Sequence, residues 1–142
     1  LSRNIVAMIQ PDIIQGGGIS EMKKIAAMAE AYYVGFQSHA IHGPMDVCSS
    51  LHISASTPNF MINEGGNYHN WRAAAQDMVI GEFPDITDGY IPVPTSPGLG
   101  VAMNEDWLEK HSPVDDRSQP GNAVWAQQTG RLPSKQFEQW NP

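Results

Sequence analysis

The sequence predicts an α/β fold built on a parallel β-sheet. Three short apolar stretches, at residues 5–10, 34–38 and 60–63, alternate with two segments whose spacing or composition favours helices. Strands that alternate with helices along a chain are typical of parallel sheets, because the helix returns the chain to the edge where the next strand starts. We therefore expect the three strands to be parallel neighbours.

Composition limits the possible partners and compartment. Eight Lys and Arg against fifteen Asp and Glu give a net charge of −7, which argues against nucleic acid, since phosphates require a basic surface. No apolar run approaches the ~20 residues of a membrane span, and the opening residues lack the pattern of a signal peptide. The single cysteine, Cys48, cannot form an internal disulfide. We expect a cytoplasmic protein with no membrane or nucleic-acid partner.

The first predicted unit is a strand at residues 5–10 followed by a helix at residues 20–33. The strand ends at Asp12, and the glycines at 16–18 permit a tight turn with close packing. Ser20 is a good N-cap for the helix. One helix face is expected to be buried because its apolar residues have i, i+3, i+4 and i+7 spacing: Met22, Ile25, Ala26 and Ala29.

Two further units follow the same order. A strand at residues 34–38 leads directly into His39, and a helix is predicted at residues 45–56. A third strand at residues 60–63 ends at Glu64, where a glycine pair interrupts it. Each of the three strands is thus followed by an ionisable side chain.

The chain divides into three parts by pattern. Residues 1–66 contain the three strands, and residues 67–111 form a Pro- and Gly-rich closing segment that packs back onto them. Within the closing segment, helices are predicted at residues 71–79 and 104–110. Residues 112–142 carry several prolines and little periodicity, so we expect an irregular C-terminal segment there.

The residues that follow the strands are candidates for proton transfer. Asp12, His39 and Glu64 each lie where a parallel strand would end, and α/β barrels assemble their active sites at that edge. A carboxylate beside an imidazole fixes its tautomer and raises its basicity. A further carboxyl group can hydrogen-bond a substrate oxygen whose charge grows during the reaction. The alternative is that these polar residues only end strands and cap helices.

Ordered motifs over residues 5–110 together resemble the enolase superfamily, specifically its mandelate racemase subgroup. The sixth strand and helix of that subgroup resemble residues 11–21 and 24–31, and the end of its seventh strand resembles residues 38–39 with 43–44. Its eighth strand resembles residues 57–64, and its closing segment resembles residues 88–94 with 97–101. The resemblance implies the C-terminal part of a (β/α)-barrel, strands six to eight, followed by an irregular C-terminal segment.

The resemblance also implies roles for the candidate residues. Asp12 and His39 would form the subgroup's Asp–His dyad, Glu64 would hydrogen-bond the substrate carboxylate, and His39 and Glu64 would both contact the substrate. The implied reaction removes the proton α to a carboxylate through a Mg²⁺-stabilised enediolate, after which a β-hydroxyl leaves in the acid-sugar dehydratases. The residue pairs at 43–44 and 58–59 are more similar to dehydratases of the galactonate and mannonate type than to mandelate racemase.

Departures from the family pattern set limits on this interpretation. No lysine lies between Pro11 and Gly18, where muconate-cycloisomerase and dipeptide-epimerase relatives place a catalytic one. The family's magnesium ligands would precede Leu1, so no metal ligand is predicted on this chain. A complete barrel needs about 250 residues, whereas the chain has 142. We therefore expect part of a longer polypeptide that is inactive by itself and forms a homo-oligomer when full length.

Other functions stay open from the sequence alone. One alternative is a racemase or epimerase of a 2-hydroxy acid, and another is a non-catalytic binding or interaction module. Clustering of Asp12, His39 and Glu64 would favour an enzyme, and their separation a module. The glycines at 16–18 lack a Walker lysine, which favours a turn over a phosphate site. A zinc site can also be assembled on paper, although its spacing fits no common finger, from His39, His42, Cys48 and His52.

Overall fold

The computed structural model describes residues 1, 3, 5–64 and 68–111, with side chains at 68–71 excepted. The chain forms two compact units, Leu1–Asn104 and a second that begins at Glu105. The proposed tail at 112–142 lies outside the described residues. In chain order, the elements are β1 (Met8–Ile9), α1 (Gly18–Ala31), β2 (Gly35–Phe36), α2 (Pro44–Ala55), α3 (Tyr68–Asp77), β3 (Val79–Ile80), β4 (Ala102–Met103) and α4 (Glu105–His111).

Strands β1 and β2 are parallel, as the alternation of strands and helices predicts. Met8 lies opposite Gly35 in the register of the pair. Backbone hydrogen bonds continue the pairing beyond both strands, since Gly35 N donates to Ala7 O at 2.9 Å and His39 N donates to Pro11 O at 3.0 Å. An isolated parallel bridge joins Asp12 to His39. The first two candidate residues therefore end adjacent, paired segments.

The third predicted strand is much shorter than residues 60–63. Phe60 makes a single parallel bridge to Phe36. On either side of it, Phe36 N donates to Asn59 O at 2.9 Å and Met61 N donates to Phe36 O at 3.0 Å. Among the described residues this segment has a partner on one side only, so no second ladder keeps it extended beyond Phe60. The parallel order still brings the end of the segment to the same edge as Asp12 and His39.

Helix α1 begins two residues earlier than predicted. Its N-cap is Gly17, which has a φ of 95° and no side-chain capping bond, so the prediction that Ser20 caps the helix is wrong. The left-handed conformation of the glycines ends the preceding turn at Gly17 and lets the helix start at once. The predicted buried face is confirmed at Met22, Ala26 and Ala29.

Helix α2 is buried over most of its length and joins two apolar cores. Pro44 occupies its first turn, where the missing N–H is not needed. One core surrounds Phe36 and lies between the sheet and the helices: Ile13, Met22, Ala26, Phe36 and Ile53. The other brings the closing segment onto α2: Ala40, Val47, Cys48, Leu51, Ala75, Val79 and Phe83. Residues of the first unit that follow α3's start, among them Ala75, Val79 and Phe83, therefore pack against α2.

The closing segment contains an antiparallel pair of strands, which the sequence does not indicate because prolines interrupt the apolar pattern. Val79 in β3 lies opposite Met103 in β4. Between them, an isolated bridge joins Thr87 and Tyr90 across a tight turn. Asp88 and Gly89 occupy that turn with φ values of 51° and 82°, which is the left-handed geometry that Asp-Gly pairs favour.

No helix in the described ranges combines the length and apolar character needed to cross a membrane.

Candidate active site

The three predicted site residues lie together at one edge of the parallel segments. The Nδ1 atom of His39 is 2.6 Å from Oδ2 of Asp12, which is a strong hydrogen bond. The other ring nitrogen, Nε2, is 3.8 Å from Oε2 of Glu64. The imidazole thus lies between two carboxyl groups, with Nδ1 engaged and Nε2 facing Glu64 beyond hydrogen-bond distance.

A tight turn after β1 orients the carboxylate of Asp12. Gln15 N donates to its Oδ1 at 2.8 Å, and Gly16 N donates to its backbone carbonyl at 2.7 Å. A Cβ added to Gly16 would lie 2.5 Å from that carbonyl, so only glycine fits there. Gly17 and Gly18 follow with φ values of 95° and 85°. The glycine run is therefore a close-packed turn, as predicted, and it holds Asp12.

Glu64 is held by the backbone of the residue after the histidine. Ala40 N donates to Oε2 of Glu64 at 3.2 Å. This contact links the end of the third strand segment to the loop that carries His39.

Burial and hydrogen bonding act in opposite directions on the pKa values of Asp12 and His39. Burial alone raises the pKa of Asp12, but N–H donors from Gln15, His39 and His42 outweigh burial and lower it to about 2. Asp12 is therefore an acceptor only, so Nδ1 of His39 must carry the hydrogen. The hydrogen bond to Asp12 raises the pKa of His39, burial opposes this, and the negative charges of Glu64, Asp12 and Asp46 add to it. His39 is thus a more basic imidazole than usual.

Two further residues belong to this site and were not predicted as part of it. His42 places Nε2 at 2.8 Å from the same Oδ2 of Asp12, and its ring centroid is 6.1 Å from that of His39. Asp46, which is 2% exposed, accepts a hydrogen bond from His42 N at 3.0 Å. The available signals were the short spacing from His39 to His42 and an acid in the first turn of α2.

The zinc set assembled from the sequence does not form in the described residues. The group there that could hold a cation consists of Asp12, His39 and His42, whereas Cys48 is fully buried in α2. Burial raises the pKa of the Cys48 thiol to about 11, which disfavours the thiolate that a metal requires.

The group of Asp12, His39 and His42 is a hydrogen-bonded network rather than a metal site. Its contacts of 2.6 and 2.8 Å are shorter than the ~3.3 Å that separates two ligand atoms around tetrahedral zinc. Two imidazoles with one carboxylate also do not fit magnesium, which prefers oxygen ligands. The described residues accordingly offer no set suited to the Mg²⁺ that the resemblance implies.

Fold and site together define a class of protein: an α/β-barrel portion with a hydrogen-bonded Asp–His pair and a neighbouring carboxyl group at the C-terminal edge of its strands. A family model described as Enolase C-terminal domain-like matches residues 1–107. The chain belongs to this family, and the resemblance to the enolase superfamily is confirmed.

The most similar relatives include named sugar-acid dehydratases. A D-galactonate dehydratase from Xanthomonas campestris pv. campestris is 40% identical over 89% of this chain and 34% of its own length. A D-galactonate dehydratase from Pectobacterium atrosepticum is 37% identical over 95% of this chain and 34% of its own length. The chain therefore spans about a third of the length of the curated relatives it matches.

Solved structures support the same fold. A crystal structure of an enolase from Pantoea ananatis with bound D-gluconate and Mg is 32% identical with a TM-score of 0.69, covering 77% of this chain and 26% of that one. An enolase of the mandelate racemase subgroup from Agrobacterium tumefaciens is 33% identical with a TM-score of 0.64, covering 73% and 28%. Both the subgroup and the barrel portion agree with the prediction.

Proposed function

We propose that this chain provides the C-terminal catalytic edge of a sugar-acid dehydratase of the galactonate and mannonate type. The observation that carries the proposal is the 2.6 Å bond between His39 and Asp12, with Glu64 beside the opposite ring nitrogen. Relatives of about 40% identity that are D-galactonate dehydratases support the substrate class. The substrate would be a small acid sugar.

In this proposal His39 is the base. Asp12 accepts a hydrogen bond from Nδ1, so Nε2 of the neutral ring has the free electron pair. Nε2 takes the proton α to the substrate carboxylate, and Asp12 stabilises the imidazolium that results. The C–O bond of the β-hydroxyl then breaks, the proton held by His39 is available to the departing oxygen, and the enol product converts to a keto acid.

Glu64 is proposed to bind the substrate carboxylate. Ala40 N fixes one carboxyl oxygen of Glu64 at 3.2 Å, which orients the group next to His39. The carboxyl group of Glu64 would hydrogen-bond a substrate oxygen, and that bond would strengthen as negative charge develops on the oxygen. A magnesium ion, when bound, would supply further charge stabilisation, and we expect its ligands outside this chain because the described residues do not fit it.

The remaining strands of the barrel must come from elsewhere in the working enzyme. A barrel of this type closes with eight strands, and the described parallel segments number three. We propose that the complete polypeptide supplies the rest and that its active form is a homo-oligomer. The chain alone should therefore lack dehydratase activity.

His39→Asn in the complete polypeptide tests the function. Asparagine keeps a polar group but lacks a base, so keto-acid release from the best of a panel of sugar acids, including D-galactonate, D-mannonate and D-gluconate, should fall by about 10²–10⁴-fold. His111→Asn, the same chemical change in α4, is the matched control and should retain the wild-type rate. A wild-type rate for His39→Asn overturns the mechanism. Exchange of the α proton with solvent deuterium, without keto-acid release, would instead identify a racemase or epimerase.

A further inference from the structure

The carboxylate of Asp12 has a second imidazole partner that the dyad does not need. Oδ2 accepts from Nδ1 of His39 at 2.6 Å and from Nε2 of His42 at 2.8 Å, while Oδ1 accepts from Gln15 N. Because ionised Asp12 only accepts, Nε2 of His42 carries a hydrogen. One oxygen thus faces two ring N–H groups that compete for its charge.

The backbone of His42 is fixed independently of this bond. Its N–H donates to Oδ2 of Asp46 in the first turn of α2, and Asp46 is buried. Gly43 then caps α2 with a φ of 135°, and Pro44 starts the helix. These contacts anchor the loop after His39 on a buried helix end, so the approach of His42 to Asp12 is built into the fold.

We propose that His42 is a positioning residue for the dyad: by donating from Nε2 to Oδ2 of Asp12, it fixes that oxygen toward His39 and takes up part of its negative charge. The proposal rests on the proposed function of Asp12 and His39. His39 would then be a weaker base than it would be if Asp12 had no second imidazole partner, and His39 would lose its proton at a lower pH.

The charged groups that face His39 allow this effect to be isolated. Asp12 follows β1, Glu64 ends the third strand segment, and Asp46 lies in the first turn of α2; all three raise the pKa of His39. Among the described residues, His42 also lies beside the His39 ring and approaches it edge-on. Removal of its N–H should leave more of the Asp12 charge for His39 and so raise the pKa of His39 further.

The test measures the protonation of His39 without using activity. Deuterium exchange at Cε1 of each histidine ring, followed by mass spectrometry over a pH series, reports the pKa of individual histidines in the complete polypeptide. His42→Ala should raise the pKa of His39 by about half a unit. His42→Gln keeps an N–H donor and should stay close to the wild type, while thermal melting checks that both variants fold.

The sign of the shift decides the outcome. If His42 only maintained the loop, His42→Ala would loosen the dyad and lower the pKa of His39, which is also the direction expected for Asp12→Asn. A lowered or unchanged value therefore overturns the proposal. In the pH dependence of kcat/KM, the acidic limb should move to higher pH by the same amount. A raised pKa of His39 in an enzyme that acts on no sugar acid would leave the role of His42 intact and contradict the proposed function instead.

Discussion

At the scale of single residues, the site depends on how one carboxylate is shared. Asp12 accepts hydrogen bonds from a backbone N–H and two imidazoles, which outweigh the effect of burial and lower its pKa to about 2. The group therefore stays ionised throughout the physiological range and gives His39 a permanent negative neighbour. This neighbour is the largest reason that the pKa of His39 is raised.

Asp12→Asn should move the pH profile in a defined direction. A general base works in its neutral form, so kcat/KM of the complete enzyme should rise with pH as His39 loses its proton. Because Asp12 raises the pKa of His39, the substitution should shift this rise to lower pH. The rate at the plateau should also fall, since the amide no longer stabilises the imidazolium.

The matched control is Asp88→Asn, because Asp88 lies in an exposed turn with a φ of 51° that asparagine tolerates. It should leave the profile unchanged. A shift to higher pH in Asp12→Asn would contradict the pairing of Asp12 with His39 as the source of its basicity.

Part of the site was predictable from the sequence because strand ends are visible as pattern breaks. Asp12, His39 and Glu64 each follow an apolar stretch, and parallel strands bring such ends together. His42 and Asp46 were not recognised because their place depends on the loop geometry after His39 and on the first turn of α2. Spacing alone does not show which way a loop side chain turns.

At the scale of elements, the glycine turn between β1 and α1 connects fold to chemistry. Gly16 packs against the carbonyl of Asp12, while Gly17 and Gly18 have positive φ. The sequence indicated a close-packed turn, yet it misplaced the helix start at Ser20. A serine side chain is a usual capping signal, but the left-handed glycines before it had already begun the helix.

Gly16→Ala should disturb both stability and the dyad. Its Cβ would lie 2.5 Å from the Asp12 carbonyl, and overpacking of this kind typically costs about 1–3 kcal/mol. Because the clash pushes on Asp12 itself, the pKa of His39 should also fall toward its usual value. Urea denaturation and ring deuterium exchange of the complete polypeptide measure the two effects.

Gly18→Ala distinguishes the effect on stability from the effect on the pKa of His39. Nothing lies within 4 Å of a Cβ at Gly18, but its φ of 85° strains any other residue. It should cost about 1–2 kcal/mol and leave the pKa of His39 unchanged. Equal effects of the two substitutions on His39 would mean that Gly16 does not position Asp12.

Strand pairing explains why other elements were harder to predict. The alternation of strands and helices correctly indicated parallel pairing of β1 with β2, but the third strand reduces to the bridge at Phe60. The apolar side chains of residues 60–63 are typical of a strand with neighbouring strands on both sides. The apolar pattern of the strand itself does not indicate whether both neighbouring strands are present. The β3–β4 pair was missed because prolines and glycines interrupt the usual alternation.

At the scale of the whole molecule, the parallel segments have two apolar edges with which no other described residue pairs. Large side chains near the outer edges are exposed, at 78% for Ile5, 44% for Met8, 66% for Met61 and 59% for Ile62. Unpaired strand edges of this kind associate with other chains unless they are covered. In the proposed enzyme, the remaining strands of the barrel would cover both edges.

The chain alone should therefore associate, and changes at the edges should reduce this. We expect size-exclusion chromatography with light scattering to show species larger than a monomer, because the exposed edge offers unpaired backbone groups and apolar side chains. Met61→Lys should weaken the association, since a charged edge residue disfavours further pairing. Ile80→Lys is the matched control: Ile80 is 63% exposed but already paired in the antiparallel β3–β4 segment, so its replacement should change the association less.

In the complete polypeptide Met61→Lys should have the opposite consequence and destabilise the protein, because the same edge would be needed for barrel closure. A chain that is a cooperative monomer by itself, with Met61→Lys tolerated in the complete polypeptide, would show that this edge is a free surface and that the barrel is not completed there.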